Sequence, residues 1–398
     1  MEERPWRPGR LHVAIVGHTS QLGGAELALV RLLDALGDTV RLSIVLFEDG
    51  PLAERLRNSG RDVRILALPT RLNAMRRDEL GLRTGLRSVG GIARHGWRLA
   101  RLIRSLDVDV VHATSLKANL LTAALRPLIG RPLVWHVHDR IAPDYLPART
   151  AELVRQLARV PRVVIANSVA TAATLGSRPD VVVAPPGLSA EQIRDTPRPR
   201  PPGPPTIGVV GRISETKDQL TFVRAAAQVR DRNGEARFVV IGAPAFGADA
   251  YAGLVACEVS RLGLEEAVQF TGFVDDPTLL VDDLTLVVHT AAVPEPFGQV
   301  VTEAMARGVP VIATAGGGVN EIFEPGQHTF GWLVPPASPD ELASAITEAL
   351  EDPGEAERRA SRAWEMVRVR YPVTRTAQLV LQAWEGAAAS RRPARRQR

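Results

Sequence analysis

Twice in succession, this chain alternates short β-branched runs with longer stretches of helical periodicity, and that pattern leaves little choice of fold. Parallel strands cannot be joined by a tight turn. Each pair needs a crossover of a dozen or more residues, which is what the helical stretches supply. The first series of runs is Leu11–Gly17, Leu42–Phe47, Val63–Leu68, Asp109–Ala113, Pro132–His138 and Arg162–Ser168. The second is Thr206–Gly211, Arg237–Gly242, Val268–Gly272, Leu284–Thr290, Val309–Thr314 and Gly331–Pro335. Their apolar residues do not alternate strictly with polar ones, so both faces of each strand are expected to be covered. The expected fold class is α/β: two Rossmann-like, doubly wound domains facing across a cleft, with a ligand at the carboxyl ends of their strands.

Between the two series lies Asp195–Pro205, with six prolines in eleven residues. It cannot join a sheet and reads as a stiff linker. After Pro335, helices are expected over Pro339–Asp352, with Ser338 as N-cap, over Pro353–Tyr371 and over Val373–Ala388, followed by a basic tail. The expected division is 1–195 for the first domain, 196–205 for the linker, 206–371 for the second domain and 372–398 for a return helix and tail.

A length of 398 residues accommodates two such domains. The single cysteine, Cys257, excludes a disulfide framework and a cysteine-based zinc site. No apolar run approaches the ~18 residues of a membrane span, and the start MEERPWRPGR has no apolar segment behind its charges; a cytoplasmic protein is expected. No GxGxxG follows the first strand and no GxSxG elbow occurs, so a dinucleotide cofactor and acyl transfer have no support. Asp107-Val108-Asp109 has the DxD form of some metal sites, but it opens a strand away from the carboxyl ends, and no metal is expected there.

Charge adds a second constraint. Of 49 basic residues only Lys117 and Lys217 are lysine. Residues 1–200 carry 30 basic and 19 acidic side chains, a balance of +11, and residues 201–398 carry 19 and 25, a balance of −6. Genomic preference for arginine explains the excess but not its sorting by half, which points to an anionic partner for the first half. The stretch Arg71–Ser105 is dense in arginine, with only Asp78 and Glu79 against it. Trp97 is its one aromatic residue, so base stacking and nucleic-acid binding have little support. An anionic lipid surface or a phosphate-bearing acceptor fits better, and a solvated helical face fits equally.

Two constellations carry chemistry. In GRISETKDQ (Gly211–Gln219), directly after an expected strand, Arg212 and Lys217 are placed around a polar loop that ends in a helix. A planar guanidinium, a movable ammonium and a helix N-terminus suit a diphosphate; a solvated loop is the alternative. In PEPFGQVVTEAMARGVPVIAT (Pro294–Thr314), Glu295 follows a strand, Phe297-Gly298 opens a helix, and Glu303 lies on that helix. Glycine there lets a ligand approach the N–H groups of Gly298, Gln299 and Val300. A carboxylate such as Glu303 can accept two ribose hydroxyls.

With GGAE near the start and a Gly-rich stretch at Gly316–Gly318, these motifs resemble the retaining glycosyltransferases of family 4, which have the GT-B fold. Their order and spacing match from about Leu11 to Gly386. The resemblance implies a nucleotide sugar as donor substrate, with no separate cofactor and no metal, bound mainly by the second domain. A glycan, lipid-linked or small-molecule acceptor is implied for the first, with the C-terminal helix packing back on it. Arg212 and Lys217 would hold the diphosphate, Glu295 the hydroxyls of the transferred sugar and Glu303 the ribose. The backbone of Phe297–Val300 would touch sugar and phosphate, and the loop Gly272–Asp276, with Val274, would border the base. In the first domain His138 would face the donor sugar, and Gly23 and Gly24 would open a helix toward a phosphate, or make a plain tight turn. His112 fits a core position and an acceptor-side position equally well; His136 reads as a core histidine on the other face of its strand. Retention without a placed protein nucleophile implies front-face displacement.

Asp218 stands where the family pattern has glycine, and Pro186-Gly187, after a strand near Val183, where it has asparagine-glycine. A nucleotide-sugar epimerase of the same fold remains a rival, as does a non-enzymatic arginine-rich binding protein.

Overall fold

A computed structural model of the chain describes residues 10–68, 89–177, 180–245, 247–323 and 329–389. Residues 71–88 of the arginine-rich stretch and the basic tail fall outside them. The chain forms two compact units, residues 1–187 with 373–398 and residues 188–372.

The first unit holds a seven-stranded parallel sheet in the order β3-β2-β1-β4-β5-β6-β7. The strands are β1 (His12–Gly17), β2 (Arg41–Leu46), β3 (Asp62–Ile65), β4 (Val110–Ala113), β5 (Leu133–Val137), β6 (Val163–Ala166) and β7 (Val181–Val183). Period-two alternation sends Val13 and Ile15 of β1 to one apolar cluster and Ala14 and Val16 to another, so the sheet is covered on both faces. The helix Val373–Ala389 completes the first of these clusters with Ala377, Val380, Ala383 and the fully buried Trp384. The C-terminal helix therefore belongs to this unit.

The second unit repeats the plan with six parallel strands in the order β10-β9-β8-β11-β12-β13. They are β8 (Thr206–Val210), β9 (Arg237–Ile241), β10 (Val268–Gly272), β11 (Leu286–His289), β12 (Val311–Thr314) and β13 (Trp332–Val334). Both sheets have the doubly wound order whose strand sequence reverses beside the first strand, between β1 and β4 and between β8 and β11. The carboxyl ends at those two reversals are where each unit can hold a ligand.

The proline-rich stretch is not the crossing between units. The chain leaves the first unit at Gly187 and returns to it at Val373. The segment 196–205 is a strap on the second unit instead. Arg198 donates to the carbonyls of Asp282 and Leu284, and a Cβ on Gly308 would lie 2.7 Å from Pro197 Cα. Proline leaves the strap short of backbone donors, and arginine supplies them. At the first crossing, a Cβ on Gly187 would lie 2.3 Å from Val373 Cα, so only glycine fits the position that follows Pro186. Ser338 sits at the N-cap of the helix Pro339–Glu351, but its hydroxyl donates to Pro336 O rather than accepting from the helix.

Candidate active site

The second unit brings most of the expected residues to the end of β8 and β11. The loop after β8 closes in a short 3-10 turn, Glu215–Lys217, and Asp218 follows at φ 48°, the left-handed conformation that glycine adopts freely. Asp218 adopts it and also caps the helix Gln219–Arg232, its carboxylate accepting from Thr221 N at 3.4 Å and from Thr221 Oγ1 at 2.7 Å. The departure from the family pattern thus trades conformational ease for a helix cap. Thr290 Oγ1 donates to Lys217 O at 2.6 Å and Ala292 N to Thr216 O at 3.1 Å, fastening the loop to the segment after β11. Arg212 stands exposed at the start of the loop, its carbonyl accepting from Gln219 Nε2 at 2.9 Å.

Lys217 Nζ lies 2.8 Å from Glu295 Oε2, and His289 Nε2 lies 3.6 Å from the same oxygen. Burial pushes the Glu295 carboxyl up, but the Lys217 ammonium and the His289 ring outweigh it and hold it below the usual carboxylate range. The group is a charged carboxylate–ammonium pair beside a buried imidazole. His289 was not among the expected residues, although its place as the last residue of β11 is a readable signal.

The Gly-rich stretch fixes this carboxylate. Gly317 bridges to Glu295 as in a parallel ladder, and Gly318 N donates to Glu295 O at 2.9 Å. A Cβ on Gly317, which sits at φ 62°, would lie 2.1 Å from Glu295 O, so the two backbones meet only because Gly317 has no side chain. The stretch is a backbone clasp rather than a loose turn. Gly298 opens the helix Gln299–Ala306 at φ 105°, with Gln299 and Val300 in its first turn. The ring of Phe297 is buried edge-on against Tyr371 at 5.5 Å, so this residue offers a ligand its backbone alone. Glu303 is half-buried and accepts from Gln192 Nε2 at 3.2 Å. Gly272 ends β10 at φ 72°, bridged to Gly242, and Val274 packs partly against the cluster that holds Phe297 and Val301.

In the first unit, Gly23 caps the helix Gly24–Leu36, and a Cβ on Gly23 would lie 2.7 Å from Glu26 Oε2. Beside that helix start is a small pocket lined by Gly17, Thr19, Ala25, Glu26, Thr114 and Ser115 among others, at the carboxyl ends of β1 and β4. The histidines are arranged differently from the expectation. His136 and His138 are two residues apart on an extended segment, which puts them on the same face, and their rings stack at 4.1 Å. His112 is 0% exposed, its ring 5.4 Å from that of His136, and its Nδ1 accepts from Trp384 Nε1 at 2.8 Å. Its packing fits the core position that its sequence allows. Burial, with His138 adding to it, pushes His112 down to about 3; burial pushes His138 down to about 4 against the pull of Asp139. Of the DxD carboxylates, Asp107 pairs with Arg131 and Asp109 accepts from His12 N at 2.8 Å, at the amino end of the sheet.

Two family descriptions tile the chain: Glycosyltransferase Family 4 over residues 22–192 and Glycosyl transferases group 1 over residues 191–366. The chain belongs to the family 4 glycosyltransferases and has the GT-B fold. Among solved structures, the Anabaena protein HepE in complex with UDP-glucose superposes with a TM-score of 0.82 at 26% identity, covering 94% of this chain and 100% of HepE. A GDP-mannose-dependent alpha-mannosyltransferase of Mycobacterium tuberculosis is 28% identical over 85% of this glycosyltransferase and 89% of its own length. The 2-deoxystreptamine glucosyltransferase of Streptomyces kanamyceticus is 34% identical, but the match spans only 41% of each protein.

Proposed function

We propose that this glycosyltransferase moves a sugar from a nucleoside-diphosphate sugar to a hydroxyl of a glycan, lipid-linked or small-molecule acceptor, with retention at the anomeric carbon. The observation that carries the reading is the Lys217 ammonium, 2.8 Å from a Glu295 that the Gly317–Gly318 backbone holds in place. In the free protein Glu295 holds the ammonium where the departing diphosphate needs it. With donor bound, Lys217 and Arg212 meet the diphosphate oxygens, Glu295 accepts from sugar hydroxyls, and Glu303 accepts from the ribose. The UDP-glucose complex of HepE supports a nucleotide sugar as donor.

The proposed step is a front-face displacement. The bond from the anomeric carbon to the diphosphate oxygen breaks as the acceptor oxygen bonds to the same face, and the acceptor proton passes to the leaving phosphate oxygen. Negative charge builds on the diphosphate, and the two cations stabilise it there more than in the ground state. That charge compensation makes the reaction metal-independent in this proposal. His138, held neutral at neutral pH by burial, acts as a hydrogen-bonding group toward the donor sugar rather than as an acid.

A thermal-shift screen of UDP, GDP, ADP and TDP, then of their sugars, tests the site. A nucleotide at 100 times its Kd is expected to stabilise the protein by about 2.7 kcal/mol; no response to any of them contradicts the reading. NMR of the product reads the anomeric configuration, and an inverted product contradicts retention. Conversion of the donor sugar without an acceptor would instead favour the epimerase.

The acceptor side supports a peripheral contact with anionic lipid. The helix Val89–Ser105 buries Leu99, Ala100 and Ile103 and exposes Arg94, Arg98, Arg101 and Arg104. Trp97, 56% exposed, stands among them with the Arg101 guanidinium 5.5 Å from its ring centre. The helix itself carries no acid, and its arginines around an exposed tryptophan suit the headgroup region of an anionic bilayer. No described helix is long and apolar enough to cross a membrane. Co-sedimentation with phosphatidylglycerol vesicles at low salt is expected, and its absence removes the lipid contact from the proposal.

A further inference from the structure

Gln192 lies in the short 3-10 turn Ala190–Gln192, immediately after the chain enters the second unit. Its side chain has two fixed partners. Oε1 accepts from Ser189 N at 3.1 Å and Nε2 donates to Glu303 Oε1 at 3.2 Å. A backbone N–H only donates and an ionised carboxylate only accepts, so the amide has one orientation. The turn itself is pinned to the end of the glutamate's helix, since Arg194 N donates to Ala306 O at 3.1 Å and Arg307 Nη1 to Glu191 O at 3.4 Å. Gln192 is therefore a rigid arm that reaches back to one oxygen of Glu303.

We infer that Gln192 is a positioning residue that orients the Glu303 carboxylate toward the 2′- and 3′-hydroxyls of the donor ribose, and so sets the preference for ribonucleotides over 2′-deoxyribonucleotides. The inference rests on the reading of Glu303 as the ribose ligand. A carboxylate has about four acceptor sites, and the amide fixes the direction of one of its two oxygens. The amide is a neutral donor, so it orients the carboxylate without adding a cation that would compete with the hydroxyls for its oxygens, and bonds from hydroxyls to an ionised carboxylate are about twice as strong as neutral ones. An unheld glutamate would instead lose rotamer freedom on every binding event.

The test measures binding of UDP and 2′-deoxy-UDP by calorimetry, or the guanosine pair if GDP binds more tightly, to wild type, Gln192→Ala and Gln192→Glu. Wild type is expected to favour the ribonucleotide about tenfold or more. Gln192→Ala is expected to lose most of that preference and to raise KM for the donor severalfold with kcat little changed. Gln192→Glu keeps the shape but places a second carboxylate against Glu303. Its ribonucleotide affinity is expected to be poor at pH 7.5 and to improve toward pH 5.5, as the pair takes up a shared proton. A structural role alone would leave the ribo-to-deoxy ratio untouched, so variants that melt like wild type and keep its ratio overturn the inference. A wild type that binds both nucleotides equally overturns the Glu303 reading as well, and the two failures are told apart by which protein shows them.

Discussion

In each sheet, the strand beyond the reversal of order carries a histidine near its carboxyl end: His112 on β4 and His289 on β11. Both rings are buried, yet their surroundings differ in kind. His112 meets Trp384, His136 and, through that ring, His138, with no carboxylate among them, and burial drives the group to the neutral form. His289 meets a carboxylate already paired with an ammonium, and the charges there persist because each has a partner. One strand order has built an uncharged, load-sharing stack in the first unit and a charged pair in the second. What separates them is the loop that follows the strand: it brings proline-flanked Glu295 under its glycine clasp after β11, and a serine and helix after β4. Topology fixes where a site can be; the loop decides whether it holds charge.

The contrast can be broken from either side. The largest expected effect is on the neutral stack. Trp384→Ala removes a fully buried indole and the donor to His112, and is expected to cost the first unit about 3–5 kcal/mol in denaturant melts. A loss below 1 kcal/mol would mean that the return helix adds little. Next, Lys217→Ala is expected to lower turnover by roughly 10²–10³, about 2.7–4 kcal/mol of transition-state stabilisation, well beyond the loss of folded protein that unpairing Glu295 brings. Arg212→Ala is expected to act in the same direction, and wild-type rates for both variants would remove the diphosphate assignment.

Acid sharpens the comparison further. The folded forms of His112 and His138 titrate at about 3 and about 4, against an ordinary value of 6.5. Below 6.5 the unfolded chain binds protons that the folded one refuses, so stability falls as the pH drops toward about 4. Each histidine contributes about 1.4 kcal/mol per pH unit across that window. Glu295 acts in the same direction but in a lower window: its carboxyl is held below its ordinary 4.5, so its contribution is present above that value and fades only below it. The first unit is thus expected to weaken first in an acid series of melts. His138→Gln should remove one histidine's share of the slope, and an unchanged slope would contradict the buried-neutral account. The smallest effect is expected at Asp218→Gly, which keeps the left-handed backbone but loses the cap, at a few tenths of a kcal/mol.

The alternation of runs carried most of the fold. All twelve expected runs overlap strands, and ten enclose theirs, because a strand covered on both faces writes itself as continuous apolar residues. The thirteenth, β7, is three half-buried valines at a sheet edge and was legible only as a strand near Val183. The proline-rich segment misled because stiffness says nothing about what a segment lies against; its anchors, Asp282 and Leu284, are remote in sequence. The face of His136 was misjudged against a rule the sequence itself supplies, since residues two apart in a strand share a face. At the candidate site, the motif residues were legible because each sits beside a strand end or helix start. His289 shares that signal, as the last residue of β11, without lying in a motif, whereas the importance of Gln192 comes from Glu303, 111 positions further along, which only folding brings near.

The central claim is that the Lys217–Glu295 pair marks where the donor diphosphate sits. Titrating wild type and Lys217→Ala with UDP and with UMP, or with GDP and GMP if guanosine binds more tightly, isolates the outer phosphate from the rest of the nucleotide. Wild type is expected to favour the diphosphate strongly, and Lys217→Ala to bind the two alike, with monophosphate affinity near that of wild type. If Lys217→Ala keeps the wild-type preference for the diphosphate, the ammonium does not hold that phosphate and the claim is wrong.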